Sequence, residues 1–124
     1  MKLLVVAADF RFVETVRSAM GMNGSTVDWI VLGAQAERTL QECAYDSMLL
    51  ESNLPDMSCA DVLRRVRGVG HDLPVVIVAA ADDLQERIRL LDLGADDYVT
   101  KPVHVAEIAA RLRALMRRCS PEHS

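Results

Sequence analysis

No stretch of this chain is long and apolar enough to cross a membrane. The longest apolar run, Leu73 to Ala81, is interrupted by Pro74 and falls far short of the roughly 20 residues a spanning helix requires. The N-terminus, MKLLVVAAD, meets Asp9 before any extended apolar core develops, so no signal peptide is expected. Excess positive charge is also missing. A net charge of −4 argues against strong nucleic-acid binding by this segment alone. Cysteine is sparse: Cys43, Cys59 and Cys119 show no metal-ligand spacing and are odd in number, which fits a reducing cytoplasm. There is no internal repeat. The one Gly-x-Gly, Gly68-Val69-Gly70, precedes a strand pattern instead of following one, which excludes a phosphate loop and flavin binding of that kind.

What remains is one ordinary globular domain. Its 124 residues, 51% hydrophobic and 26% charged, can close a single core. Short β-branched runs alternate with helical patterns. Strands are predicted over Lys2 to Ala7, Thr26 to Leu32, Ser47 to Leu50, Pro74 to Ala79 and Asp97 to Thr100. Helices are predicted over Phe10 to Met20, Gln35 to Cys43, Ser58 (as cap) to Arg67, Asp82 to Leu93 and Val105 to Arg118, with Gly94 stopping the fourth. Asn23-Gly24 closes the first helix, and residues 120–124 read as the start of a linker or a tail. Five such units predict an α/β, flavodoxin-like doubly wound parallel sheet of strand order 2-1-3-4-5.

Sheets of this kind place their sites outside the carboxyl ends of the strands, at the topological switch point. The positions to interrogate are Ala7, Ala8 and Asp9 after the first strand, Glu51 after the third, Ala79 and Ala80 after the fourth, and Lys101 after the fifth. Glu51 is the conspicuous one. A carboxylate at the tip of a buried strand is costly unless it has a partner or a task, and the geometry brings Lys101 to the same edge.

The stretches KLLVVAAD, YDSMLLESNLPD, DVLRRVR, LPVVIVAAADD, LDLGADDYVTKP and AEIAARLRALMRR together resemble the receiver domain of bacterial two-component response regulators, most closely the OmpR/PhoB transcription-factor subfamily. The resemblance runs without gaps from Met1 to Arg118. It implies an acceptor aspartate at the end of the third strand, an acidic pair holding Mg²⁺ after the first, and a Thr or Ser after the fourth. A Lys-Pro whose peptide bond is usually cis and an aromatic switch residue complete the set. In this chain the acceptor position is Glu51, the acidic-pair positions are Ala7 and Ala8, and the hydroxyl position is Ala79. Asp9, Lys101, Pro102 and Tyr98 are retained, and the Gly usual after the third-strand loop is Cys59.

Phosphoryl transfer depends mostly on positioning and charge neutralisation. Two alanines cannot hold Mg²⁺, which demands near-octahedral oxygen coordination. Glu51 is one methylene too long for an attack geometry sensitive to an ångström, and Ala79 donates nothing to a phosphoryl oxygen. The expectation is a domain with no metal, no cofactor, no enzymatic activity of its own and no aspartyl-phosphate signalling, which removes the reason to expect a histidine kinase as partner. Glu51 is then either a structural acid paired with Lys101 or a built-in stand-in for the phosphorylated acceptor; its single charge favours an unswitched site over a strong mimic.

The resemblance also implies a two-fold dimer face on the fourth helix, fifth strand and fifth helix. Its ion pairs would be Arg87 with Glu107, Asp97 with Arg111 and Asp96 with Arg118, and all six residues carry the needed charge. The function expected is a phosphorylation-independent receiver domain (residues 1–119) of a cytoplasmic transcriptional regulator. It would dimerise and position a C-terminal winged-helix DNA-binding domain missing from this chain. The alternatives are a stand-alone protein-interaction module using the modified site face, or a conventional phosphorylated receiver.

Overall fold

The computed structural model describes residues 1–22 and 24–119; Asn23 and the tail or linker expected over 120–124 lie outside the described residues. Five strands, β1 (Lys2–Val6), β2 (Thr26–Ile30), β3 (Ser47–Glu51), β4 (Val75–Ala79) and β5 (Asp97–Thr100), form one parallel sheet in the order β2-β1-β3-β4-β5. This is the flavodoxin-like arrangement expected from the alternating pattern. The helices are α1 (Phe10–Gly21), α2 (Ala36–Glu42), α3 (Cys59–Gly68), α4 (Leu84–Asp92) and α5 (Val105–Cys119).

Strands buried on both faces are built from near-continuous apolar runs, here LLVV, MLL and VVIVA, with Lys2, Ser47 and Glu51 as the polar residues at the strand ends. Alternate residues feed two cores. Leu4, Val6, Met48, Leu50, Val75 and Ile77 pack with α2, α3 and α4, whereas Leu3, Val5, Leu49, Val76 and Val78 pack with α1 and α5. Each fully buried Leu or Ile removes about 1.5–3 kcal/mol of unfavourable exposure. The helices present matching stripes, such as Val13, Val16 and Met20 on α1.

Local chemistry sets the boundaries. Asp9 caps α1, Ser58 caps α3 and Asp83 caps α4, each side chain accepting from a backbone amide three residues on. The Asp83 cap explains why α4 starts at Leu84 and not at the predicted Asp82. Gly94, at φ 114°, ends the α4 segment in a conformation that side chains rarely adopt. β2 is shorter than predicted: Val31 and Leu32 leave the sheet half-exposed and lead into a 3₁₀ turn, Gly33–Gln35. There Asp56 of the β3–α3 loop accepts from the Gly33 amide (2.9 Å) and the Ala34 amide (3.0 Å). A Cβ on Gly33 would lie 2.6 Å from Val62 Cγ2, so the two loops seat against each other only with glycine there.

Arg67, near the end of α3, joins three segments. Its guanidinium donates to the carbonyls of His71 (2.9 Å), Leu73 (2.8 Å) and Gly94 (2.6 Å), and to Asp96 Oδ2 (3.1 Å).

Candidate functional site

Parallel register decides which side chains meet. Val6 pairs with Leu50, Glu51 with Val78, and Ala79 with Thr100, so the ends of β1, β3, β4 and β5 lie level. Glu51 is the last residue of β3, with its side chain 5% exposed. Its longer arm reaches the β1–α1 loop. Oε1 accepts from the amides of Ala8 (2.9 Å) and Asp9 (3.2 Å), and Oε2 accepts from Lys101 Nζ (2.6 Å). Those amides immediately precede α1, where the helix dipole favours an anion.

Lys101 follows β5 and is held by its own amide, which donates to the Ala79 carbonyl at 2.8 Å. The Lys101–Pro102 peptide is cis. Its ammonium also donates to Asp9 Oδ2 (3.0 Å) and stands 4.8 Å from the Phe12 ring centroid. Asp9 uses its other oxygen, Oδ1, on the Phe12 amide (3.2 Å). The Asp9 carboxyl is held below its ordinary pKa by the Lys101 hydrogen bond first and the Phe12 amide second. Burial works against the Lys101 ammonium, but its hydrogen bonds to Glu51 and Asp9 outweigh it and raise its pKa. One cation thus bridges two carboxylates that would otherwise repel.

Ala7, Ala8 and Ala79 contribute no side-chain oxygen. Ala7 and Ala79 are buried in the two cores, and the Ala7 carbonyl accepts from Trp29 Nε1 at 2.8 Å. A shallow pocket of about 460 Å³ lies over the site, lined by Ala8, Asp9, Glu51, Asn53, Ala80 and Lys101. Cys59, on the first turn of α3, is buried, which pushes its thiol up to about 11.

The retained aromatic, Tyr98, is turned inward and 7% exposed. Its hydroxyl lies 3.4 Å from the Ala81 carbonyl, and the Arg87 guanidinium covers its ring at 5.3 Å. Burial raises the Tyr98 pKa. On the neighbouring face α4 leaves Leu84, Ile88 and Leu91 exposed at 64%, 52% and 40%, one stripe at i, i+4 and i+7.

The six charged residues assigned to that face are placed as follows within one chain. Arg87 of α4 pairs with Asp82 of the β4–α4 loop. Arg111 pairs with Asp97 (2.8 Å) and Glu107 (3.4 Å), and its pKa is raised chiefly by Asp97. Asp96 binds Arg67 and the Val75 amide (2.8 Å). Arg118 is exposed on α5. The contributions of the Ala8 and Asp9 amides, Asp82, Asp56 and Arg67 were not visible in sequence motifs. Backbone donors leave no residue signature, and the side chains named find partners through folding alone.

Comparison with known proteins follows the same lines. The family model for the response regulator receiver domain matches residues 3–113. The chain is 40% identical over 124 residues to the transcriptional regulatory protein QseB of Escherichia coli O157:H7, covering 100% of this chain and 57% of that protein. It is 37% identical over 122 residues to the response regulator MprA of Mycobacterium tuberculosis, covering 98% of this chain and 53% of the relative. It therefore spans about half the length of these curated relatives. Among solved structures, the receiver domain of the Francisella response regulator 1452 superposes with a TM-score of 0.89 at 26% identity, covering 96% of this chain and 98% of that one. The BeF3-activated N-terminal receiver domain of Klebsiella pneumoniae RstA gives 0.87 at 27% identity, covering 94% and 99%. By its sequence match, its sheet order and the residues that meet at its strand ends, the chain belongs to the response regulator receiver domain family.

Proposed function

We propose that this receiver domain works without phosphorylation, as the input half of an OmpR/PhoB-type transcriptional regulator. It would dimerise through α4, β5 and α5 and position a DNA-binding domain supplied by the rest of the protein. The observation that carries the reading is the Glu51 carboxylate. Both of its oxygens are engaged, one by two backbone amides and one by Lys101. An acceptor must present a free oxygen in line with the incoming phosphorus, and this one is tied down on both sides.

The metal site of the family does not fit these residues either. Mg²⁺ requires several oxygens in octahedral array. Ala7 and Ala8 offer none from their side chains, and the remaining acids, Asp9 and Glu51, already share the Lys101 ammonium. Lys101 places one internal positive charge between these two carboxylates, half of what a divalent ion would bring. Ala79 leaves the usual hydroxyl link between the site and the aromatic residue without a donor. Dimerisation is supported by the exposed Leu84, Ile88 and Leu91 stripe beside Arg87, Asp97, Glu107 and Arg111. The curated relatives extend well beyond this region, in keeping with an output domain elsewhere in the protein.

The test is intact-mass spectrometry after incubation with acetyl phosphate and Mg²⁺, with Glu51→Gln alongside. The expected spectrum is unmodified protein. A single phosphoryl adduct that disappears in the Gln variant would establish the conventional mechanism and overturn this reading.

A further inference from the structure

An ion pair at an interface contributes only what it gains over the pairs its members already make. Arg87 is the α4 residue whose charge the dimer face needs opposite Glu107 of the second copy. Within the protomer that charge is engaged: its Nη2 donates to Asp82 Oδ1 from the β4–α4 loop, and the guanidinium carbon stands over Tyr98, 5.3 Å from its ring centroid. Its Nε is buried and makes no hydrogen bond. The two ties differ in kind. Tyr98 is buried, and its contact survives whichever carboxylate the guanidinium faces. Asp82 is 66% exposed, and its own loop does not depend on the pair, because the α4 cap is made by Asp83.

Resting on the dimer reading above, we infer that Asp82 is an internal competitor for the interface: it occupies Arg87 in the single protomer and must release it before the second copy's Glu107 can bind. The competition is local. Arg87 stays fixed by Tyr98 while one exposed carboxylate replaces another. Glu107 is subject to a similar exchange, since it holds Arg111 at 3.4 Å in the same protomer. Asp82 therefore sets how readily the face closes, without forming part of the closed interface. Its position in the loop directly after Ala81, whose carbonyl faces the Tyr98 hydroxyl at 3.4 Å, couples that setting to the placement of the aromatic ring.

Removing the carboxylate should tighten the dimer. An exposed pair is worth little, but two-fold symmetry counts it twice, so Asp82→Asn should lower the dimer dissociation constant about 2- to 30-fold. The 124-residue chain would be measured by sedimentation equilibrium over a concentration series. Asp72→Asn serves as the charge-matched control, an exposed residue before β4 whose loss changes net charge equally. Tighter association of Asp82→Asn than of wild type and Asp72→Asn, abolished in Arg87→Ala/Asp82→Asn, is the expected result. A wild type that dimerises with Asp82→Asn indistinguishable from Asp72→Asn overturns the competition and leaves the dimer reading standing. Wild type and Asp82→Asn both monomeric at the highest concentrations overturn the dimer reading and the competition with it. Circular dichroism of each variant confirms that folding is unchanged.

Discussion

Replacing Lys101 by methionine tests the arrangement at its most loaded point. Methionine keeps much of the side chain's length and its apolar contact with Phe12, but removes the ammonium that lies 2.6 Å from Glu51 and 3.0 Å from Asp9. Glu51, 5% exposed, is left as a buried carboxylate facing a second one. Breaking a buried pair by deleting one member typically costs about 3–5 kcal/mol. Lys101 is 24% exposed, and water can reach the vacated position, so the expected loss is about 2–4 kcal/mol. With a urea m-value of about 1.5 kcal/mol/M, a loss of about 3 kcal/mol lowers the unfolding midpoint by about 2 M. Adding Glu51→Gln to the variant removes the stranded charge while keeping an oxygen for the Ala8 and Asp9 amides, and should restore part of the loss. Equilibrium urea unfolding of the three proteins reads both effects. A midpoint shift below about 0.3 M in Lys101→Met, equivalent to about 0.5 kcal/mol, would show that the pair is solvated and refute the view of Lys101 as the site's internal counter-ion.

Two further outcomes follow from the fold and from the titrating groups. Gly33→Ala should destabilise by about 1–3 kcal/mol in urea unfolding, because the new methyl meets the stiff side chain of Val62 and also Met57 Cγ at 2.8 Å; Gly68→Ala, with open space around it, should not. Stability against pH should form a plateau with two shoulders. Asp9 titrates lower in the folded than in the unfolded chain, so its contribution is complete above 3.8 and is lost as pH falls through the folded value. Lys101 titrates higher when folded, so its contribution is complete below 10.5 and is lost as pH rises through the folded value, with Tyr98 acting in the same direction above 10.0. A midpoint that changes steeply between these limits would contradict the assignment.

Much of the architecture was legible because it rests on local periodicity. Continuous apolar runs gave the central strands, Ser58 and Gly94 marked a start and a stop, and βα alternation implied the sheet order. The misread boundary at Val31 and Leu32 has a physical reason. Apolar content does not separate a residue that ends a strand from one that lines a loop, and Asp56, which fixes the turn that follows, is remote in sequence. At the site, residue types revealed what was missing, namely side-chain oxygens at positions 7, 8 and 79. They did not reveal what Glu51 does with its extra methylene, since its partners there are backbone amides. The face charges show the same limit. Sequence supplies their signs, but Arg87 with Asp82 and Asp96 with Arg67 emerge only when the loops are in place.

The hold of the β1–α1 amides on Glu51 also bears on reversibility. Shortening this residue to aspartate should draw the carboxylate back from the fixed Ala8 and Asp9 amides, leaving donors without an acceptor. Restoring an acid at position 7 or 8 first would instead crowd a third carboxylate beside Glu51 and Asp9, which already share one cation. Each of these single changes should lower stability. On the proposed reading, single substitutions toward an acceptor site at positions 7, 8 and 51 each cost stability, so local energetics favour the site in its present form.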